Sequence, residues 1–397
     1  MERWKFNLYI LWVTQVISLS SFGLGIPFMS FYIQDMGVTD DYSIKIYTGI
    51  LSMAPAVTMA IASPVWGFVA DRYGRKLMIL RAMFAASFII GGMGFASEVW
   101  QLVVLRGAQG LFTGTMTASN AFVAANTPEN KLSKSLGFMS SSNFIGFSIG
   151  PFLGGILAEI FGIRFSFIIG AVLMFLGFLL VLFFLKEDKT TYGKVNEKKG
   201  YGPEFKSVVS LIIIYFLVAL FVTRIIRTIF VPFVPLYVQE KLGTIVGAAS
   251  ITGIISGITG LATAVAGITI SQLGDKTDKY ILIRKLLIIS IVISATLVFI
   301  DSLYLFLALY GLMFFFIGGI EPIITSMAAL HTHPNQRGAL FGVQGFVSSL
   351  GWMISPIMGT YISVNFSIRS ILIIIPVLIS INILIIHMSS KNQKKMT

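Results

Sequence analysis

Twelve long apolar runs constrain the fold of this 397-residue chain more than any other feature. A helix needs about 20 consecutive apolar residues to cross a bilayer, and only helices or closed barrels satisfy their backbone polar groups in lipid. The predicted spans are residues 8–30, 46–66, 77–96, 100–122, 136–158, 165–185, 208–236, 247–270, 281–300, 304–326, 339–362 and 370–388. The first run is too long for the apolar region of a cleaved signal peptide. The sequence therefore predicts an all-α integral membrane protein.

The positive charges follow the predicted loops. Most of the 29 Lys and Arg residues fall in segments that share one side of the membrane if the N-terminus is cytoplasmic. Four others fall in the opposite loops, namely Lys45, Arg164, Lys241 and Arg369. This asymmetry is the positive-inside pattern, and it predicts that both termini are cytoplasmic. Because topology explains the net charge of +12, we predict no nucleic-acid partner.

An internal repeat relates the two ends of the chain. Residues Ile26–Asp35 reappear as Val231–Glu240, and Pro151 meets Pro356 at the same offset of 205 positions. A constant offset over six spans indicates duplication, and six spans per copy give both copies the same orientation, as in secondary transporters with parallel repeats. We therefore predict an N-terminal half at residues 1–185, a lysine-rich cytoplasmic linker at 186–206 and a C-terminal half at 207–397.

Three motifs resemble signatures of one family. The charged turn at residues 67–76, between the second and third spans, resembles the loop signature of the major facilitator superfamily. Residues Arg106–Gly110 resemble the RxxQG signature of its proton-coupled members, and Gly146–Gly155 resembles the GxxxGPxxGG signature of its antiporter branch. Together they resemble the twelve-helix drug–proton antiporters, in particular multidrug exporters of the MdtG type. The resemblance implies the major facilitator fold, with twelve transmembrane helices in two pseudo-symmetric six-helix halves that rock to give alternating access.

The resemblance also implies a gate made from two of these motifs. Asp71 would lie at the N-terminal end of the eleventh helix, where a helix dipole favours an anion, and would latch the cytoplasmic side. Pro151 and the glycines of the fifth helix would line the seam between the halves. Solvated loop charges and plain helix packing are the alternatives. The predicted gating residues are Gly67, Asp71, Arg72, Gly74, Arg75, Lys76, Gly146, Gly150, Pro151, Gly154 and Gly155.

Four charged residues fall well inside predicted spans, away from the span ends, where charge is costly and usually functional. They are Arg106 in the fourth span, Arg224 and Arg227 in the seventh, and Glu321 in the tenth. The resemblance implies that these spans line a cavity. Glu321 is the leading candidate for the transported proton, because burial favours a protonated carboxyl group and a nearby arginine favours its ionised form. A permanent ion pair and a position near the surface are the alternatives. For proton coupling we predict Glu321, Arg106 and, as the second proton site, Asp71.

Three arginines against one acid inside the spans favour an anionic or zwitterionic amphiphile as substrate. Arg224 and Arg227 share one helix face, and with Gln15 of the first span they are predicted to contact the substrate. His331 and His333 lack a third ligand, so we predict no metal site. The chain has no phosphate-binding loop and no catalytic constellation, which argues against ATP and against an enzyme.

The sequence thus predicts a monomeric multidrug exporter of the plasma membrane. Small amphiphilic compounds would leave in exchange for protons, with the proton gradient as the energy source and no cofactor. An exporter or flippase of a specific lipid or metabolite, and a facilitator or importer on the same fold, are the alternatives.

Overall fold

The computed structural model describes residues 2–112, 114–187, 210–333 and 336–396, and every regular element in them is a helix. The first α-helices are α1 (Arg3–Gly25), α2 (Met29–Asp35), α3 (Asp41–Tyr73), α4 (Arg75–Phe95), α5 (Val99–Phe112), α6 (Thr115–Asn126), α7 (Glu129–Phe161) and α8 (Ile163–Phe184). The later ones are α9 (Leu211–Thr228), α10 (Val234–Leu242), α11 (Ala248–Lys276), α12 (Lys279–Phe299), α13 (Leu303–Gly318), α14 (Ile320–Leu330), α15 (Arg337–Asn365) and α16 (Ile368–Met396).

Within the described residues, eleven helical stretches are long and apolar enough to cross a membrane, and they match eleven of the predicted spans. The span predicted at residues 100–122 differs, because Gly114 has a φ of 126° and separates α5 from α6. Trp66 Nε1 donates to Leu111 O at 2.6 Å, and Arg81 Nη2 donates to Phe112 O at 3.5 Å. These donors pair with carbonyl groups that the end of α5 leaves without intrahelical partners. The predicted single helix is thereby corrected to two successive helices.

The sequence repeat recurs as a repeat of local structure. Ile26–Phe28 and Val231–Phe233 each form one turn of 3₁₀ helix, which suits a proline because the first turn needs no N–H donor. Gly114 and Gly319, which are 205 positions apart, each lie at a helix interruption, between α5 and α6 and between α13 and α14. Helices are therefore interrupted at equivalent positions in the two copies.

The helices group into two compact units, namely Met1–Asn196 with Leu242–Gly260 and Glu197–Lys241 with Leu261–Thr397. In the first unit α1 packs on α7 and α8, and α4 packs on α8. In the second unit α9 packs on α15 and α16, and α12 packs on α16. Equivalent helices thus form equivalent pairs inside each unit. The limits of the predicted halves stay a prediction, and most of the predicted linker at residues 186–206 lies outside the described residues.

Candidate functional site

An ion cluster joins α9 to α14 in the second unit. Arg224 Nη2 lies 2.6 Å from Glu321 Oε1, and Arg227 Nη1 lies 2.8 Å from Glu321 Oε2. The side chains of Arg224, Arg227 and Glu321 are 30%, 19% and 25% exposed. One carboxylate therefore bridges two guanidinium groups, and we name these three residues the Arg–Glu–Arg cluster.

The local sequence explains how these side chains meet. Arg224 and Arg227 are three residues apart on α9, so they share one helix face. Glu321 follows the interruption at Gly319 and lies in the first turn of α14, where the helix dipole favours an anion. A Cβ atom at Gly319 would lie 2.5 Å from Ile270 Cβ, so only glycine lets the chain pass this close to α11. The glycine thus determines where α14 begins and where it presents the carboxylate.

The α15 helix packs against Arg224 and fixes the stem of its side chain. A Cβ atom at Gly351 would lie 2.9 Å from Arg224 Cβ and Cγ. One turn further along α9, Thr228 Oγ1 lies 2.7 Å from Arg224 O and 2.9 Å from Ser355 Oγ on α15. The close approach and the hydroxyl pair hold this part of α9 against α15.

The first copy of the repeat has the same helix contact without the charges. Gly146 approaches Leu19 in the first unit as Gly351 approaches Arg224 in the second, at the same offset of 205. At that offset, the three positions of the Arg–Glu–Arg cluster correspond to Leu19, Phe22 and Met116. The fold is therefore built in the first copy without this cluster, which argues that the charges serve something other than the fold.

Arg106 is buried in the first unit and pairs with a carbonyl group that a proline leaves unpaired. Its Nε donates to Leu51 O at 2.8 Å, and its Nη1 donates to Gln109 Oε1 at 2.5 Å. Leu51 lies four residues before Pro55, which has no N–H to complete the helical hydrogen bond. A Cβ atom at Gly110 would lie 2.7 Å from Pro55 Cα, so glycine allows α5 to approach α3. The RxxQG motif thereby joins α5 to α3, a contact that the sequence analysis missed.

Gln15 is buried on α1 of the first unit. Its Nε2 has no hydrogen-bond partner among the described residues. One turn earlier, Trp12 Nε1 donates to Ser141 Oγ at 2.9 Å, and the indole ring stacks on Phe138. Gln15 and the two arginines of the Arg–Glu–Arg cluster belong to different units, and their common contact with a substrate stays a prediction.

The charged turn is a tight connection between α3 and α4. Gly74, with a φ of 97°, is the single residue between them. The guanidinium group of Arg72 lies 5.5 Å from the ring centroid of Tyr73. Gly67 and Asp71 fall within α3, but nothing beyond their backbone belongs to the described part of the chain. The latch at Asp71 stays a prediction.

Glu187, which the sequence analysis overlooked, ties this turn to the end of α8. Its carboxylate accepts the backbone N–H groups of Arg75 at 3.1 Å and Lys76 at 2.8 Å. A second connection runs in the opposite direction, because Lys76 Nζ donates to Leu185 O at 2.6 Å. An acid at the start of α4 and a lysine at the end of α8 both complement the helix dipoles. The side chain of Lys76 thus contacts α8, and its role in gating stays a prediction.

The glycine stripe of α7 packs mainly on α1. A Cβ atom at Gly146, Gly150 or Gly154 would collide with α1, for example 2.6 Å from Leu24 Cα in the case of Gly154. Gly155 instead faces the start of α11 within the first unit, where a Cβ atom would lie 2.5 Å from Ala249 O. Three of the four glycines therefore serve helix packing inside the first unit. Gating by the motif stays a prediction.

A second ion cluster lies at the end of α10 and was not predicted. Lys241 Nζ lies 2.5 Å from Asp301 Oδ1, and Arg369 Nη1 lies 3.4 Å from the same atom. The hydrogen bond and charge of Lys241, with the charge of Arg369, lower the pKa of Asp301. The Asp301 side chain is 76% exposed, and exposed pairs stabilise little. This cluster is a surface connection rather than a candidate substrate site.

Comparison with known proteins agrees with the fold. The sequence matches the Major Facilitator Superfamily over residues 11–300 and 216–395. It is 31% identical to the multidrug resistance protein MdtG of Dickeya zeae (strain Ech586) over 96% of this chain and 93% of that protein. MdtG of Proteus mirabilis (strain HI4320) is also 31% identical, over 93% and 92%.

Solved structures show the same fold at lower identity. A bacterial homologue of the human lysosomal transporter Spinster superimposes with a TM-score of 0.82 at 14% identity, over 98% of this chain and 97% of that chain. The nucleoside transporter NupG superimposes with a TM-score of 0.78 at 14% identity, over 97% and 99%. The protein is therefore a multi-pass membrane transporter, and the chain belongs to the Major Facilitator Superfamily.

Proposed function

We propose that this chain exports small amphiphilic compounds that carry an anionic or zwitterionic group, in exchange for protons, across the plasma membrane. The observation that carries the proposal is the Arg–Glu–Arg cluster, in which an acid bridges two bases on two apolar helices. An interrupted helix in corresponding positions of two repeats points to a transporter binding site, and Glu321 follows such an interruption. The name of the relatives, multidrug resistance protein, favours drugs as the transported compounds.

Glu321 is the proton carrier in this proposal, and the two arginines bind the acidic group of the substrate. Gain or loss of a proton on Glu321 changes its two ion pairs with Arg224 and Arg227, so the proton and the acidic group of the substrate are coupled through the same two arginines. Alternating access exposes the site to each side in turn. Arg106 contributes by holding α5 against α3, Gln15 contacts the substrate, and Asp71 with the gating residues controls access.

Proteoliposomes with an imposed pH gradient test the proposal. We expect anionic and zwitterionic amphiphiles to cause proton movement through the wild-type protein. In Glu321→Gln we expect the movement to fall to the level of empty liposomes, because an amide cannot carry the proton. Glu240→Gln, which changes an exposed acid of the second unit, is the matched control and should behave as the wild type.

Two outcomes would contradict the proposal. Normal proton movement in Glu321→Gln would make the Arg–Glu–Arg cluster structural and would move attention to Asp71. Transport of amphiphiles by the wild type without proton movement would indicate a facilitator.

A second experiment tests the proposed topology, in which the monomer has both termini in the cytoplasm. The chain has no cysteine, so a single introduced thiol reports its own side of the membrane. Thr39 and Thr277 are exposed residues outside the long helices. In intact cells, a membrane-impermeant maleimide should label Thr39→Cys at once and Thr277→Cys only after lysis. The reverse order would place the N-terminus outside.

A further inference from the structure

The Arg–Glu–Arg cluster has an unequal balance of charge. Two guanidinium groups and one carboxylate leave one net positive charge when all three are ionised. Within the described part of the chain, no other charged side chain forms an ion pair with any of the three. A negatively charged group of a substrate is therefore attracted to the arginines, and a simple cation is repelled.

The helices around Glu321 bring few other charges. The neighbours of α14 are α9, α12, α13 and α15, and Gly319 also brings it against α11. Glu321 is the only charged residue in α13 and α14, and the charged residue of α15 is Arg337 at its start. Other charges lie within two turns of a helix end, namely Asp275 and Lys276 on α11 and Lys279, Arg284 and Lys285 on α12. The protonation of Glu321 is therefore governed by Arg224, by Arg227 and by any charged group of a ligand that binds beside them.

A simple anion at the arginines favours a proton on Glu321. The anion either displaces the carboxylate from its two partners or adds a negative charge beside it, and both changes oppose the ionised form. Because coupling between two ligands is reciprocal, the proton also favours the anion. A simple anion and a proton would then bind together and cross in the same direction. Exchange requires the opposite, in which the substrate expels the proton.

A positive group beside Glu321 expels the proton, but the net charge of the cluster disfavours a lone cation. A zwitterion meets both requirements, because its negative charge can pair with the arginines while its positive charge lies beside the carboxylate of Glu321. We propose that the exchanged substrates are zwitterionic amphiphiles, with their anionic group bound by Arg224 and Arg227 and their cationic group by Glu321, whereas a simple anion binds with uptake of a proton. The inference rests on the proposed function of the same site and narrows it, because simple anions no longer belong to the exchanged substrates.

Calorimetric titration of the full chain in lipid nanodiscs tests this inference. The matched probes share a decyl chain: N-decyl-N,N-dimethylglycine as the zwitterion, decanoate as the anion and decyltrimethylammonium as the cation, with empty nanodiscs subtracted. Titrations in buffers of different ionisation enthalpy give the protons exchanged per ligand. We expect release with the zwitterion and uptake with decanoate. For one proton exchanged, the two Kd values should change in opposite directions by up to about tenfold per pH unit.

Three variants, one of them a control, assign the proton changes to the cluster. Glu321→Gln should abolish both changes, should retain decanoate binding and should weaken binding of the zwitterion. Glu240→Gln should behave as the wild type. A double variant with Arg224→Gln and Arg227→Gln should lose binding of both decanoate and the zwitterion.

The results separate failure of the inference from failure of the proposed function. Proton release with decanoate, proton uptake with the zwitterion, or tighter binding of decyltrimethylammonium than of the zwitterion would overturn the inference and leave the Arg–Glu–Arg cluster as a binding site. If no probe binds the wild type, or if the double arginine variant binds the probes as tightly as the wild type, the cluster is not the substrate site and both proposals fail.

Discussion

Arg106→Met is expected to destabilise the first unit strongly. Methionine keeps an unbranched apolar side chain, although a shorter one, and removes every donor, so Leu51 O and Gln109 Oε1 lose the hydrogen bonds that they accept from Arg106. A buried acceptor without a donor costs about 1–3 kcal/mol, so the free energy of unfolding should fall by roughly 2–6 kcal/mol. The thermal midpoint of the purified protein measures this loss. An unchanged midpoint would show that the two hydrogen bonds contribute nothing.

A second substitution separates the structural role of Arg106 from a role in coupling. Pro55→Ala restores a backbone N–H four residues after Leu51, so the helix itself can supply the donor that Arg106 provides. The double variant Pro55→Ala with Arg106→Met should regain the part of the stability that was lost at Leu51. The single variant Pro55→Ala completes the double-mutant cycle. If the recovered protein still moves no protons, Arg106 takes part in coupling. If proton movement returns with stability, Arg106 only fixes the contact between α3 and α5.

The membrane spans were largely predictable from the sequence because a bilayer leaves the backbone few alternatives. The span predicted at residues 100–122 is the exception. Hydropathy predicts one helix over residues 100–122, but the carbonyl groups just before the interruption at Gly114 accept hydrogen bonds from Trp66 and Arg81, which lie 45 and 31 residues earlier in the chain. Window averages contain no information on such contacts. The repeat did contain a usable signal, since Gly319 stands at the offset of Gly114 and also interrupts a helix.

The members of the candidate site were predictable one by one, and their arrangement was not. The cost of charge in lipid identifies Arg224, Arg227 and Glu321 in the sequence. The bridge from one carboxylate to both arginines depends on the position at which α14 begins after Gly319. That position depends in turn on the packing of Gly319 against Ile270. Side-chain contacts between distant segments carry no local pattern, so the bridge appears only in the folded chain.

The proline of α3 shows the same limit. Pro55 is visible in the sequence and leaves the carbonyl group of Leu51 without a helical donor. Nothing in the sequence says which side chain supplies the missing hydrogen bond. The structure assigns this role to Arg106, a residue that the family resemblance connects with proton coupling.

Alanine substitutions at two glycines of α7 should have opposite effects. Alanine is favoured over glycine in a helix by about 1 kcal/mol. Gly137 is exposed, and a Cβ atom there meets no atom within 4 Å, so Gly137→Ala should leave the thermal midpoint unchanged or raise it. At Gly154 the Cβ atom would lie 2.6 Å from Leu24 Cα and 2.8 Å from Leu24 C. Gly154→Ala should therefore lower the midpoint and reduce the yield of folded protein.

The reason for the difference is that a backbone cannot move aside as a flexible side chain can. Overpacking of this kind costs about 1–3 kcal/mol, and at Gly154 it acts on the contact between α1 and α7 inside the first unit. Size-exclusion profiles and thermal midpoints of the two variants measure the effect under identical conditions. If Gly154→Ala instead folds with the stability of the wild type and fails only in transport, the glycine stripe is a moving part and the gating interpretation is favoured over packing. If it unfolds while Gly137→Ala does not, the stripe is required for the fold before any gate can operate.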